Sequence, residues 1–253
     1  MEDVALLKEE IRGKIWKIME ERNVARFPRP VFNRIPNFEG AEEAARRLQE
    51  LQIFQDARVL KVNPDSPQKP IRESVLSNGK ILVTPAPRLK SGFLLLDPKS
   101  VPKSAFSYAS TIKGAFKYGR QIDLAELPRV DLIIVGSVAV SLDGARIGKG
   151  GGYSEIECGI LRELNLIDEK TPIATTVHEV QVLEKIPIEE HDIPIDIIIT
   201  PKRIIETKTR YSRPKGIFWE KVTEKMLQDI PVLKELKGMK HATWIQSRSQ
   251  DSI

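Results

Sequence analysis

Cysteine is almost missing from this chain. A single residue, Cys158, rules out an intramolecular disulfide, and with no C-x-x-C pair to supply thiolates it argues against a structural zinc site. Histidine occurs three times, and no Ser, His and Asp fall in a spacing that favours a hydrolytic triad. Apolar runs are short. Leu132–Val140, the longest, suits a buried strand and not a bilayer span, so no membrane partner is expected. The opening Met1-Glu2-Asp3-Val4 lacks the basic-then-apolar layout of a secretory leader. Internal repeats are absent. This pattern of absences fits a reducing, cytoplasmic setting.

What is present is ordinary for a globular protein. The 253 residues are 41% apolar and 30% charged, enough for one large domain or one domain with an extension. The net charge of +5 is uneven. Residues 201–253 hold twelve Lys/Arg against six Asp/Glu, so the first 200 residues sum to about −1. Two readings of the basic end stand: a solvated tail, the commoner case, or a surface for RNA or an acidic partner. Tyr211, Phe218 and Trp219 lie near basic residues, but no base-stacking module signature accompanies them.

Periodicity orders the chain. Residues 3–22 predict an amphipathic helix on Val4, Leu7, Ile11, Ile15, Ile18 and Met19, with Lys8 and Arg12 one turn apart on a shared face. Residues 26–38 form a proline-punctuated connector, and 40–52 a second helix. Strands are expected at 57–62, 81–84, 92–96, 131–140, 173–177 and 195–200. Helices are expected at 70–78 and 154–164, while 104–127 has no clear assignment. Asp131–Val140 is nearly continuous in β-branched and apolar residues, as in a strand covered on both faces. The alternation predicts an α/β fold with a mainly parallel sheet flanked by helices. A domain over 1–205 is then followed by a basic extension over 206–253, with one helix near 219–228 and a poorly structured end after Lys240.

The chemistry concentrates in Arg146-Ile147-Gly148-Lys149-Gly150-Gly151-Gly152-Tyr153, between a predicted strand and a predicted helix. Glycines let backbone N–H groups approach a ligand, and a helix starting near Ser154 aims its free N–H groups and positive dipole end at it. Arg146 and Lys149 add mobile positive charge. Together these make an anion cradle suited to a di- or triphosphate. The Gly-Lys-Ser/Thr ending of a Walker A loop is absent, as is the glycine spacing of a dinucleotide fold. A simple flexible connector remains the competing reading.

At this loop the sequence resembles the 5-formyltetrahydrofolate cyclo-ligase (methenyltetrahydrofolate synthetase) family, whose pattern runs G-x-R-[LI]-G-x-G-x-G-Y-Y-D after an apolar strand. A second element, P-I-E-E-H-D-I-P-I-D-I-I-I-T from Pro187 to Thr200, resembles the family's P-x-E-x-H-D-x-x-x-D-x-I-x-T. Gln181 and the pair Lys8/Arg12 also match, in family order. Arg29–Ala41, Val135–Ser141 and R-I-G-K-G resemble the methenyltetrahydrofolate synthetase domain-containing subgroup.

The resemblance implies a NagB/RpiA/CoA-transferase-like fold. It also implies an ATP- and magnesium-dependent ligase that converts 5-formyltetrahydrofolate, or a related pterin, to the 5,10-methenyl form with release of ADP and phosphate. By the same resemblance Lys8, Arg12, Arg146, Gly148, Lys149, Gly150, Gly151, Gly152 and Tyr153 bind ATP, with Arg146 and Lys149 catalytic. Tyr153 and Ser154 meet the substrate, and Glu155 and Asp192 hold magnesium. Two positions depart from the pattern: Ser154 and Glu155 stand where the family has Tyr and Asp. An alternative therefore stays open, a nucleotide-binding module of the same fold without ring closure, associated with RNA through its basic end.

Other residues invite a function but have an ordinary role to set beside it. His191-Asp192 suits a metal or, more commonly, a turn cap. His178 follows a strand, where sites collect, yet a packed or solvated histidine is the commoner case. Cys158 reads as a buried inert thiol. Arg34, among prolines, reaches either a phosphate or the surface.

Overall fold

The computed structural model describes residues 3–239. The expectation about residues after Lys240 lies outside that range. Helix α1 (Val4–Glu21) is capped by Asp3, whose carboxylate accepts from Ala5 N at 3.0 Å. Lys8, Ile15, Trp16 and Met19 are its buried residues, so the apolar stripe that docks the helix also carries a lysine inward. The proline connector follows. Then come α2 (Ala41–Glu50), α3 (Gln52–Asp56), β1 (Val59–Val62), α4 (Lys69–Ser77), β2 (Ile81–Pro85) and β3 (Phe93–Leu96). The unassigned stretch holds two short helices, α5 (Phe106–Ala109) and α6 (Ile112–Tyr118), and an edge strand, β4 (Arg120–Ile122). The second half comprises β5 (Leu132–Val135), β6 (Ala139–Ser141), β7 (Arg146–Ile147), α7 (Tyr153–Glu163), β8 (Ile173–Thr176), β9 (Val182–Leu183), β10 (Ile197–Ile199), β11 (Ile204–Glu206) and α8 (Glu224–Asp229).

Eight strands form one sheet in the order β11-β10-β8-β5-β1-β2-β3-β4. The five central strands, β10 to β2, are parallel, and β11, β3 and β4 join antiparallel at the edges. This is the expected α/β architecture. Successive side chains alternate between two cores. Leu60, Val62, Leu132 and Ile134 face α1, α2 and α4, whereas Ile133, Val135, Ile173 and Ile198 face α7. Lys61 lies between Leu60 and Val62 and so turns to the α7 side.

One expected strand is two. Residues 131–140 break at Gly136-Ser137: β5 belongs to the large sheet, and β6 joins a second sheet in the order β7-β6-β9. At the break the Gly136 carbonyl accepts from Arg146 Nε at 3.0 Å and from its terminal nitrogen at 2.8 Å. A Cβ on Gly136 would come within 2.9 Å of Ile35 Cγ2. Apolarity made the run look continuous, and a pairing with a side chain ten residues later divides it.

The helix expected near 219–228 is a 3-10 turn at Trp219–Lys221 followed by α8, which Thr223 caps, and another helix covers 231–239. Residues 206–239 lie against the body of the protein. Ile230, Val232, Leu233 and Leu236 are buried in the core on the α7 side, and Arg213 pairs with Asp196. No described helix is long and apolar enough to cross a membrane.

Candidate active site

A cavity of about 760 Å³ opens beyond the carboxyl ends of β1 and β2, beside the end of α1 and the glycine loop. This is where parallel sheets place their ligands. All the residues expected from the sequence line it: Lys8, Arg12, Arg146, Gly148, Lys149, Gly150, Gly151, Gly152, Tyr153, Ser154, Glu155 and Asp192. The structure thus gathers segments as far apart as residues 8 and 192.

The loop is built to present backbone amides. Gly150 and Gly152 take positive φ, +96° and +65°, where a side chain would be strained. Gly152 is the N-cap of α7, and among the described residues no side chain caps the helix. The first amides of α7 therefore have no partner within the helix and face the cavity with the positive end of its dipole.

The four cations around the loop are held differently. Arg146 is 3% exposed, and four of its five guanidinium N–H groups donate to protein acceptors. Besides Gly136, it donates to Glu155 Oε1 at 2.6 Å and to Ser154 Oγ at 3.3 Å. The expectation that it is mobile is therefore wrong. It is a fixed strut joining the end of β5 to the start of α7. Lys149 is more open, with its side chain 42% exposed and Nζ 3.0 Å from Asp65 Oδ1. Arg12 donates from Nε to the Gly148 carbonyl at 2.8 Å and so ties α1 to the loop. Lys8 lies deeper, 5% exposed, between Asp192 Oδ2 at 2.5 Å and Glu189 Oε2 at 2.8 Å.

Glu189, His191 and Asp192 bring potential ligand atoms within 4.8 Å of one another, but the Lys8 ammonium already sits on both carboxylates. That hydrogen bond holds the Glu189 carboxyl below its ordinary range. His191 meets Lys221 through Nδ1 at 2.9 Å. Asp192 Oδ2 also accepts from Glu189 N at 2.7 Å, which closes the turn. Glu155 is not part of this cluster. Its Oε1 serves Arg146, and no hydrogen bond reaches Oε2 among the described residues.

Sequence reasoning missed the inner wall. Asn63, Asp65, Glu157 and Glu189 line the cavity, and Lys61 stands behind it. Lys61 is fully buried, bonded to Glu157 and, at 2.7 Å, to Asn63 Oδ1. Asn63 in turn donates to Ser154 Oγ at 3.0 Å. The available signal was a lysine inside an apolar strand of a sheet covered on both faces, which requires a buried carboxylate nearby. Arg34 and Arg88, both exposed, flank the mouth. His178 lies outside the cavity lining. It caps a 3-10 turn through Nδ1, packs edge-on against Phe38 at 6.4 Å, and burial lowers its pKa. Cys158 is buried, its thiol pushed up to about 11 by desolvation.

A model of the 5-formyltetrahydrofolate cyclo-ligase family matches residues 5–201. Over 235 residues the chain is 43% identical to the methenyltetrahydrofolate synthase domain-containing protein of Bos taurus, covering 91% of this chain and 62% of that protein. The chain thus spans less than two thirds of that relative's length. Over 85 residues, 33% of this chain and 43% of the relative, it is 36% identical to 5-formyltetrahydrofolate cyclo-ligase of Escherichia coli K12. The NMR structure of Aquifex aeolicus 5,10-methenyltetrahydrofolate synthetase superposes with a TM-score of 0.52 at 23% identity, covering 81% of this chain and 95% of that one. That likeness establishes a shared fold.

Proposed function

The chain belongs to the 5-formyltetrahydrofolate cyclo-ligase family, and we propose that it closes the one-carbon bridge of a 5-formylated reduced folate using ATP. The observation that carries this reading is the convergence of α1, the glycine loop and the 187–192 turn on one cavity. None of the three makes a nucleotide site alone.

In this reading the phosphates of ATP lie on the uncapped amides of α7 and the loop. Lys149 leaves Asp65 and follows the γ-phosphoryl, while Arg12 and the fixed Arg146 hold the loop in shape. The formyl oxygen bonds to the γ-phosphorus as the bond to the β-phosphate oxygen breaks, releasing ADP. The neighbouring N10 then adds to the formyl carbon, its proton goes to water, and the C–O bond breaks as phosphate leaves. A formamide oxygen is a poor leaving group and phosphate a good one, so positioning and charge neutralisation supply most of the catalysis. Tyr153, at the start of α7, bounds the nucleotide, and Ser154 meets the substrate.

Magnesium fits one of its two expected ligands. Glu155 has an unclaimed oxygen on the cavity side, enough for an ion otherwise held by phosphates and water, whose charge would offset that of the phosphates. Asp192 does not fit, because Lys8 occupies the cation position there.

Mixing the protein with 5-formyltetrahydrofolate, ATP and magnesium is expected to generate the near-ultraviolet methenyl chromophore, with none when ATP is omitted. No chromophore despite intact ATP binding would remove 5-formyltetrahydrofolate as the substrate. It would leave the second reading, a nucleotide-binding module, which the replacement of the aromatic by Ser154 favours. Within the basic segment, Arg213 pairs with Asp196, and Lys221 meets Glu189 and His191.

A further inference from the structure

The floor of the cavity has a hydrogen-bonding pattern that the protein leaves incomplete. Glu157 is 3% exposed and lines the cavity. Lys61 takes its Oε2, while Oε1 receives no hydrogen bond from any described residue and keeps some open contact, so it faces the cavity space. Ser154, one turn earlier on the same face of α7, is 7% exposed and in the same lining. Its Oγ accepts from Asn63 and from Arg146, so its own O–H must donate elsewhere, and no described residue receives it. Asn63 cannot reverse its amide, because the Lys61 ammonium requires the Oδ1 acceptor.

The floor therefore offers one buried acceptor beside one buried donor. Its charge is balanced, with Lys61 set against Glu157. The loop and mouth carry Arg12, Lys149, Arg34 and Arg88. An anionic group is drawn to the loop and mouth and repelled by the carboxylate oxygen at the floor.

We propose that Glu157 and Ser154 recognise the neutral lactam edge of the substrate's pyrimidine ring, Glu157 Oε1 accepting the ring N–H and the Ser154 hydroxyl donating to the adjacent C=O. The assignment rests on the cyclo-ligase reading for the identity of the ring, and it explains how a site without a second aromatic at position 154 orients one. A buried carboxylate oxygen left unpaired is costly, so a ring lacking the N–H is rejected.

Calorimetry on the full chain, with a non-hydrolysable ATP analogue present, tests this using pterin, 5-formyltetrahydrofolate and the 3-methyl form of each, in which the ring N–H is blocked. Wild type is expected to bind the unmethylated compounds about ten- to hundredfold more tightly, the equivalent of one hydrogen bond to a charged group. In Glu157→Gln the Lys61 ammonium claims the amide oxygen and turns the amide N–H groups toward the ring N–H. Discrimination should then vanish while affinity for the ATP analogue is unchanged. The double variant Lys61→Met/Glu157→Met replaces the pair by apolar groups and guards against unfolding caused by a stranded lysine. It should lose discrimination as well. Equal affinity of wild type for methylated and unmethylated rings overturns the proposal, and so does full discrimination in either folded variant. If neither variant folds, the wild-type comparison decides alone. Discrimination without methenyl formation would sink the cyclo-ligase reading and leave the floor standing, whereas no binding of any pterin sinks the floor.

Discussion

Replacing Lys8 by Met should convert the base of α1 from a tether into a vacant cation site. The Lys8 ammonium is buried between Asp192, whose side chain is 8% exposed, and Glu189, at 32%. Removing one partner of a buried pair costs about 3–5 kcal/mol, because the other charge is stranded. Glu189 retains contact with water and its share is discounted, so about 3 kcal/mol is expected here. For a domain of this size that corresponds to a fall of roughly 6–12 °C in Tm. Because the two carboxylates lie with His191 within 4.8 Å, a divalent ion can then take the place of the ammonium. Thermal melts without nucleotide should show magnesium raising the Tm of Lys8→Met and leaving wild type nearly unmoved. An equal magnesium effect on both would mean that Asp192 already holds metal in the wild type, and the assignment of Lys8 as its resident cation would be wrong.

Other perturbations separate the struts from the mobile groups. Lys149→Ala removes a side chain that is 42% exposed, so unfolding free energy should change by less than about 0.5 kcal/mol. ATP affinity, read by calorimetry, should fall about tenfold or more, the worth of a hydrogen bond to a charged group. An unaltered affinity would remove Lys149 from the phosphate site. Gly150→Ala forces a side chain to φ +96°, costing about 1–2 kcal/mol of loop strain. Nucleotide binding should weaken further than stability does, and a change confined to Tm would contradict the cradle. Acid should loosen α1 through Glu189. Lys8 holds the folded-state pKa of this carboxyl below its ordinary value of 4.5. The stability it contributes is therefore complete above that value and is lost as pH falls through the lowered one. Glu189→Gln should flatten the wild-type loss of Tm below pH 4.5, and an unchanged slope would show that another group titrates there.

Much of the site was legible in the sequence. The glycine loop carries a local reason for its residue types, and the resemblance to the cyclo-ligase family added Lys8/Arg12 and the Pro187–Thr200 element, which together led to the expectation of one phosphate site. The state of each charge was not legible. Arg146 and Lys149 are three positions apart, yet one is a buried strut and the other a partly exposed side chain paired with Asp65. That difference comes from the Gly136 carbonyl and from Asp65, which are remote in sequence. Asp192 looked like a magnesium ligand until α1 placed an ammonium on it.

What the sequence determined by itself is the mainly parallel α/β sheet, most of its flanking helices and the place of the glycine loop at the start of α7, because hydrophobic period and glycine placement act over a few residues. The division of the 131–140 run, the pairing of Lys61 with Glu157 across 96 positions, and the carboxylate oxygen that pairing leaves facing the cavity were decided only by the tertiary fold. A buried charge takes whichever partner the packing brings within reach, and no local pattern in the chain encodes that distance.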